Sequence, residues 1–352
     1  MKLTAQITGL KYTPTLGRKL GKFPIAFLRQ ALSSDAAFSI EMGQGKNFAV
    51  SWWVSSKRTR SYPYARVYDT LGFPGKRVTI IPVFKDEGRD GDRDFLQWDT
   101  ISLMSLLGVY VIVGYYTSAT RNKAYKNKIT DQRFDADYLT GQLRALLSYQ
   151  SDALHWNISQ IDKVGDLAKK ALSAYGEISK QERVEMHSVK SADRRISQLT
   201  KGKQQFMLLS RKLAQSAQIR EITTVQPKEK LTGVKATILI SNYLGGLYYF
   251  TIDEVRNIGR DVLLIEGKHT KNDRLPSLDD IKDALLKMIL YTNLQNVKLD
   301  SQDVSFVPTL LLTTGKGVTS EQLVSDKTFL QLKEEANLNR FQILLNNMPV
   351  RG

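Results

Sequence analysis

Three residues in the last third of the chain have types and spacing that suit metal-assisted hydrolysis. Glu266 and Lys268 stand two positions apart in the apolar run Val262–His269, and Asp253 lies in the preceding apolar run, Leu247–Glu254. Side chains alternate along a strand, so Glu266 and Lys268 should project from one face. Burying a carboxylate and an ammonium group beside apolar residues costs free energy unless they have partners. This pair therefore indicates a functional site.

The two apolar runs are predicted to form a hairpin whose turn contains Gly259. If the chain turns between Gly259 and Arg260, Asp253 lies opposite Glu266, with their Cβ atoms about 5 Å apart. Asp261 is separated from Glu266 by an odd number of residues, so its side chain should face the other way. Two carboxylates held this close repel each other, and a bound divalent cation would relieve the repulsion. The spacing therefore predicts a metal site at Asp253 and Glu266.

Such a site suits phosphodiester cleavage. The metal would neutralise the phosphate, lower the pKa of an attacking water and steady the leaving oxygen. Lys268 would orient that water or help to deprotonate it. Mg²⁺ is the expected cofactor, with Mn²⁺ as a substitute. The alternative is a hairpin with a solvated ion pair between Glu266 and Lys268, which would contribute little to stability.

The segment Ile265-Glu266-Gly267-Lys268, with Asp253 ahead of it, resembles the PD-(D/E)xK nuclease superfamily, which includes most type II restriction endonucleases. The following helix and the strand after it also resemble the order of that family's core. The resemblance covers roughly residues 215–315. It departs from the family pattern at Ile252, where the motif often has proline.

The resemblance implies that Asp253, Glu266 and Lys268 are catalytic, and that the backbone carbonyl of Gly267 assists the two carboxylates in holding the metal. Many members add a glutamate from a preceding helix, for which Glu221 is the candidate here. The resemblance further implies a prokaryotic homodimer that cuts both strands of double-stranded DNA at a specific sequence and leaves 5′-phosphates. A repair, recombination or transposon nuclease on the same core, and a non-catalytic DNA-binding protein, remain the alternatives.

The composition favours a polyanionic partner. Lys and Arg number 51 against 35 Asp and Glu, which gives a net charge of +16, and a basic excess of this size is typical of nucleic-acid binding. The absence of cysteine excludes disulfides, thiolate zinc sites and cysteine nucleophiles. Without an apolar leader, a long apolar span or a nucleotide-binding motif, the sequence predicts a cytoplasmic protein with neither a membrane partner nor a nucleotide cofactor.

Two basic segments are candidates for contacting DNA. Cations and aromatic rings interleave over residues 52–66, and a basic loop occupies residues 121–133. Such mixtures suit phosphate contacts and base stacking, although an aromatic core beside an exposed loop would give the same pattern. The predicted DNA-binding residues are Lys57, Arg58, Arg60, Arg66, Arg121, Lys123 and Lys126. The acidic run from Asp86 to Asp99 lacks the EF-hand pattern and is interpreted as a solvated loop that opens a helix.

The apolar runs indicate an α/β protein with a mixed central sheet, added helices and an amino-terminal basic region, and the resemblance implies that the sheet is of the restriction-endonuclease type. Residues 1–133 form the basic and aromatic region with a β-α-β pattern, residues 134–214 a helical region, and residues 215–352 the catalytic core. The glycines at positions 165, 176 and 202 are expected to interrupt the helical region. In the core, apolar runs predict the order β-β-β-α-β, with Ser277 capping the helix. A further helix over residues 321–338 closes the chain.

Overall fold

The computed structural model describes residues 1–200, 234–242, 247–259, 261–315 and 317–350. Glu221 and the predicted boundary loop at residues 226–230 lie outside these ranges. The chain forms two compact units, Met1–Arg18 together with Lys212–Gly352, and Lys19–Arg211. The regions drawn from the sequence follow a different division, because Met1–Arg18 belongs with the carboxyl-terminal part.

The described part of the chain contains both strands and helices. In chain order they are β1 (Lys2–Ile7), β2 (Gly21–Pro24), α1 (Leu28–Ser34), β3 (Ala37–Gly43), β4 (Lys46–Trp52), α2 (Pro63–Leu71), β5 (Lys76–Pro82), β6 (Phe84–Asp86), β7 (Arg93–Phe95), α3 (Trp98–Leu106), β8 (Val109–Gly114), β9 (Tyr116–Arg121), β10 (Ile129–Phe134), α4 (Ala136–Ser148), α5 (Ala153–Glu182), α6 (Val189–Thr200), β11 (Val234–Asn242), β12 (Leu247–Ile258), β13 (Asp261–Thr270), α7 (Leu278–Tyr291), β14 (Gln295–Leu299), β15 (Gln302–Asp303), β16 (Ser305–Thr314), α8 (Lys327–Asn339), β17 (Gln342–Leu345) and β18 (Met348–Pro349).

The unit that contains both ends of the described chain is built on a nine-stranded mixed sheet with the order β15-β14-β1-β11-β12-β13-β16-β17-β18. The four predicted strands and the helix are present as β11, β12, β13, β16 and α7, but two strands that were not predicted, β14 and β15, come between α7 and β16. Strand β16 runs parallel to β13. The mixed α/β class is therefore correct.

Strand β1 lies inside this sheet, parallel to β11 and antiparallel to β14. Its side chains alternate between the core and the surface, with Leu3, Ala5 and Ile7 buried. Alternation of this kind is the signature of a strand with one covered face. The place of this strand in the sheet could not be predicted from the sequence, because its partner strand lies more than two hundred positions away, with Lys2 paired to Thr237.

Helix α7 packs against β13 and β16. Its first turn is capped by Ser277, whose side chain accepts a hydrogen bond from the backbone N–H of Asp280, as the sequence predicted. Strand β13 is buried along most of its length. It carries apolar side chains on both faces, as expected for a central strand covered on two sides.

The other unit contains a five-stranded sheet with the order β2-β3-β4-β5-β8. The predicted β-α-β pattern is confirmed, since β5 and β8 pair in parallel and α3 lies between them in the chain. The predicted helical region begins with α4, α5 and α6. The expectation that glycines 165 and 176 interrupt this region is wrong, because both lie within α5. Buried residues such as Trp156, Val164 and Tyr175 anchor that helix and outweigh the cost of about 1 kcal/mol for each glycine.

Within the described residues, no helix is both long and apolar enough to cross a membrane.

Candidate functional site

The hairpin of β12 and β13 has the register that the sequence predicted. Ile258 pairs with Asp261 across the turn, and Glu254 pairs with Ile265 at the far end of the ladder. Gly259 in the turn has φ +59°, a conformation that glycine adopts without steric cost. The ladder ends at the pair of Glu254 and Ile265, and Asp253 and Glu266 are the next residues of the two strands beyond it.

A β-bulge reshapes the outer side of this hairpin at the candidate site. Strand β12 has one more residue than β11 between the pairs Ala236↔Ile252 and Val234↔Val255. The extra residue falls in the stretch that contains Asp253. Bulges bend a strand and redirect side chains, and they are common beside active sites.

Asp253 is fixed by a hydrogen bond across the hairpin. Its Oδ2 accepts from the backbone N–H of Gly267 at 3.0 Å. The carboxylate thus accepts a backbone hydrogen bond that a carbonyl of the neighbouring strand would otherwise accept. This bond lies just beyond the last paired residues, Glu254 and Ile265. Asp253 is half-buried, and its negative charge acts on the neighbouring Glu266.

Glu266 is the most deeply buried member of the cluster, with a side chain only 1% exposed. Its Oε2 accepts a hydrogen bond from Lys287 Nζ at 2.6 Å, and its Oε1 lies 3.5 Å from Lys268 Nζ. Lys268 also donates to Asp283 Oδ2 at 2.9 Å. Two helix residues therefore join the three predicted strand residues, and we refer to Asp253, Glu266, Lys268, Asp283 and Lys287 as the sheet–helix cluster.

The place of Asp283 and Lys287 in the cluster was not predicted from the sequence. They stand four positions apart on α7, so they share one face of the helix, and that face meets the polar side chains of β13. The spacing was the available signal. It is ambiguous alone, because acid and base pairs at this interval are common on solvated helix faces.

The electrostatics of the cluster centre on Glu266. Burial raises the pKa of its carboxyl to about 8, and the charge of Asp253 adds to the rise while Lys287 and Lys268 oppose it. Burial would lower the pKa of Lys287, but Glu266 and Asp253 hold it well above its ordinary value. For Lys268, burial again lowers the pKa, and Glu266 with Asp283 reverses the direction to a net rise. The lysines therefore stay charged while Glu266 is poised between its two forms.

The donor chemistry of the cluster suits a magnesium ion. In the described ranges, no group of three or more His, Asp or Glu side chains is arranged to hold a metal. Magnesium, however, usually keeps several waters and is held by one or two carboxylates together with substrate phosphates. Asp253 and Glu266 supply two such carboxylates. Metal binding by the Gly267 carbonyl stays a prediction. The contact observed for this residue is the hydrogen bond from its N–H to Asp253.

The other polar groups near the hairpin lie apart from the cluster. Asp261 is exposed at the start of β13. Glu254 is buried and forms an ion pair with Arg256 at 2.8 Å. His269 contacts Thr313 Oγ1 through Nδ1 at 2.9 Å.

Two of the predicted DNA-binding arginines are held in intramolecular contacts. Arg60 forms ion pairs with Glu87 at 2.8 Å and Asp94 at 3.0 Å, and also with Asp92. Arg66 lies with its guanidinium 4.5 Å from the ring centroid of Trp52 and donates to the Trp52 carbonyl. These contacts indicate structural roles for both arginines.

The remaining predicted DNA-binding residues are more accessible. Lys57, Arg121, Lys123 and Lys126 are exposed, and Arg58 is half-buried. Three of the exposed residues lie in or beside the loop that joins β9 to β10. These side chains are accessible to a partner, and their contact with DNA stays a prediction.

The acidic run was interpreted as a solvated loop, and this interpretation is wrong for its first members. Asp86 and Glu87 are 4% and 8% exposed. Asp86 contacts His187 Nδ1 at 2.7 Å, while Glu87 forms ion pairs with Lys85 at 2.9 Å and Lys128 at 3.5 Å. Lys85 is a close neighbour in the sequence, but His187 and Lys128 come from distant parts of it, so their pairing could not be inferred from local composition.

Comparison of the chain with protein-family models, with curated proteins and with solved structures found no match.

Proposed function

We propose that this protein is a magnesium-dependent endodeoxyribonuclease that hydrolyses phosphodiester bonds at the sheet–helix cluster. The observation that carries the proposal is the position of Glu266. Its carboxyl is buried, lies beside a second acid, and contacts two ammonium groups. A solvated ion pair would lack all three properties.

The magnesium ion, when bound, would supply a Lewis acid that polarises the phosphate and acidifies a water molecule. Asp253 and Glu266 would hold it, and the backbone N–H of Gly267 keeps Asp253 in position. Lys268, anchored by Asp283 at 2.9 Å, is placed to orient the attacking water and to stabilise negative charge on the phosphate. Lys287 balances the charge of Glu266 from the helix side.

We further propose the finer features that the PD-(D/E)xK resemblance implies. These are a restriction-endonuclease-like arrangement of the central sheet, a homodimer, sequence-specific cuts in both strands of DNA, and 5′-phosphate ends. The net charge of +16 and the exposed lysines at positions 123 and 126 support a DNA substrate.

A non-catalytic DNA-binding protein is the second candidate, and one observation favours it. Two of the three carboxylates of the cluster, Glu266 and Asp283, lie 2.6 to 3.5 Å from the ammonium groups of the two lysines, so the charges nearly balance without a metal. In that case the cluster would serve only to join α7 to the sheet. A repair or recombination nuclease would use the same cluster and would differ in the DNA that it cuts.

The decisive experiment is cleavage of supercoiled plasmid with Mg²⁺, Mn²⁺, Ca²⁺ or excess EDTA. We expect cutting with Mg²⁺ and Mn²⁺, binding without cutting in Ca²⁺, and no cutting in EDTA. Discrete bands would identify a restriction enzyme, whereas structure-dependent nicking would identify a repair enzyme. Full activity in EDTA would exclude the metal mechanism.

Matched variants separate catalysis from structure. Glu266→Gln and Lys268→Ala should both abolish cleavage while leaving DNA binding intact, because they remove groups that act on the metal or the water. Asp253→Ala should do the same. The controls are Asp261→Ala and Lys271→Ala, which alter exposed residues of similar charge near the same strand. Wild-type cleavage by Glu266→Gln or Lys268→Ala would place the active site elsewhere.

A further inference from the structure

A cavity of about 350 Å³ lies within the unit Lys19–Arg211. It is situated at the carboxyl end of β4, and α1 and the β9–β10 hairpin complete its wall. Strands β4, β5 and β8 are parallel, and crevices beyond the carboxyl ends of parallel strands are frequent ligand sites. The lining residues used below are Arg29, Trp52, Asp131, Arg133 and Phe134.

Trp52 provides a rigid aromatic wall. Its Nε1 donates to the Asp35 carbonyl at 2.7 Å, and the guanidinium of Arg66 lies 4.5 Å from its ring centroid. Phe134 meets it edge to face at 6.2 Å. The indole is half-buried and lines the cavity, so it is held in place before any ligand arrives.

Two guanidinium groups lie at the same cavity. Arg29 and Arg133 are exposed, and in the part of the chain that the structure describes neither side chain takes part in an ion pair. Guanidinium groups bind phosphate oxygens and the acceptor edges of bases with paired hydrogen bonds. Aromatic and cationic side chains around one small cavity are the combination that holds an unstacked nucleotide.

The hairpin wall is distorted at this point. The register of β9 and β10 shifts between Thr130 and Arg133, and Asp131 within the shift has φ +48°. A non-glycine residue in this region is strained, and strain together with a bulge is concentrated at ligand-binding sites. The Asp131 carboxylate Oδ2 accepts from Thr120 Oγ1 at 3.2 Å and lines the cavity.

We propose that this cavity binds one unstacked nucleobase together with its phosphate. The base stacks against Trp52, Arg29 and Arg133 hold the phosphate, and Asp131 accepts a hydrogen bond from an exocyclic amino group. Adenine, cytosine and guanine carry such a group and thymine does not. The base could belong to a free nucleotide or to a DNA strand, and the proposal does not depend on the nuclease activity.

Tryptophan fluorescence tests the proposal directly. The chain has four tryptophans, and Trp53, Trp98 and Trp156 are 0%, 5% and 4% exposed. A stacked base should therefore quench Trp52 selectively. The full-length protein is titrated in EDTA with dAMP, with dTMP, with a fully paired duplex and with the same duplex carrying one unpaired adenine.

We expect dAMP to quench more strongly than dTMP, and the Trp52→Phe variant to lose the quenching. Arg133→Ala should weaken binding about tenfold, as for loss of a charged hydrogen bond. Arg144→Ala is the matched control, since Arg144 is exposed in the same unit and does not line the cavity. Quenching by dAMP but by neither duplex would support a free nucleotide as the ligand, and quenching by the unpaired-adenine duplex would support a DNA base.

The proposal is overturned if none of the four probes quenches the protein, or if quenching persists unchanged in Trp52→Phe. Equal loss of binding in Arg133→Ala and Arg144→Ala would also overturn it, because general charge would then explain the interaction. The measurement contains no metal and no cleavage step. Failure of the proposed nuclease activity would consequently leave its outcome unaffected.

Discussion

Glu266→Gln should make the free energy of unfolding less dependent on pH. Burial, with the charge of Asp253, raises the pKa of Glu266 from 4.5 to about 8 in the folded protein. The folded state therefore binds this proton more tightly than the unfolded state does. The contribution of this carboxyl to the free energy of unfolding is then fully present below about pH 4.5 and declines as the pH rises towards 8.

The expected size follows from the two pKa values. With an unfolded pKa of 4.5 and a folded pKa of about 8, the free energy of unfolding should fall by about 3 kcal/mol between pH 5 and pH 8. In a unit of this size that corresponds to a decrease in Tm of roughly 6 to 12 °C. Glutamine lacks the proton but keeps an oxygen that can accept from Lys287.

The assay is thermal unfolding of the wild type and of Glu266→Gln from pH 5 to pH 8 in EDTA. The difference between the two proteins reports on this carboxyl together with the lysines whose pKa its charge raises. We expect the Tm of the variant to rise relative to that of the wild type as the pH rises. Magnesium should reduce the pH dependence of the wild type and leave that of the variant unchanged.

The opposite trend would refute the reasoning. Breaking a buried ion pair by removing one partner typically costs about 3 to 5 kcal/mol. If the pairing with Lys287 dominated the energetics of Glu266, the variant would be less stable than the wild type by this amount at pH 8. A matched Asp261→Asn variant, exposed at the start of β13, should follow the wild type at every pH.

Three further predictions follow from the same contacts. Asp253→Asn removes a like charge from beside Glu266, so urea unfolding should show a smaller stability loss between pH 5 and pH 8, and calorimetry should show weaker Mg²⁺ binding. Lys287→Met should destabilise the protein more at pH 8 than at pH 5, measured by urea unfolding, because it removes the cation closest to the buried carboxylate and raises the pKa of Glu266 further. Lys123→Ala should lower the slope of log K against log salt for DNA binding by about one, whereas Arg60→Ala should lower Tm and leave the slope unchanged; a shared effect on the slope would contradict this distinction.

The parts of the site that the sequence predicted are those that depend on local interactions. The alternation of β12 and β13 and the two-residue turn at Gly259 are set within one short stretch, so the proximity of Asp253 and Glu266 could be inferred from it. The cap at Ser277 is likewise local.

The parts that were missed depend on packing between distant segments. The face that α7 turns towards β13 decides whether Asp283 and Lys287 are solvated or join the cluster, and their spacing alone leaves both outcomes open. The place of β1 in the sheet depends on its pairing with β11. The ion pairs of Arg60 with Glu87 and Asp94 likewise could not be inferred, because these residues lie close to it only after folding.

The central position of β1 has a consequence for biosynthesis. The pair Lys2↔Thr237 joins this strand to one that the ribosome releases much later, on the order of 10 to 50 s at about 5–20 residues per second. The intervening unit can fold during this delay, while β1 waits without its neighbours β11 and β14. The nine-stranded sheet that carries Glu266 can therefore assemble only after the intervening unit has been synthesised.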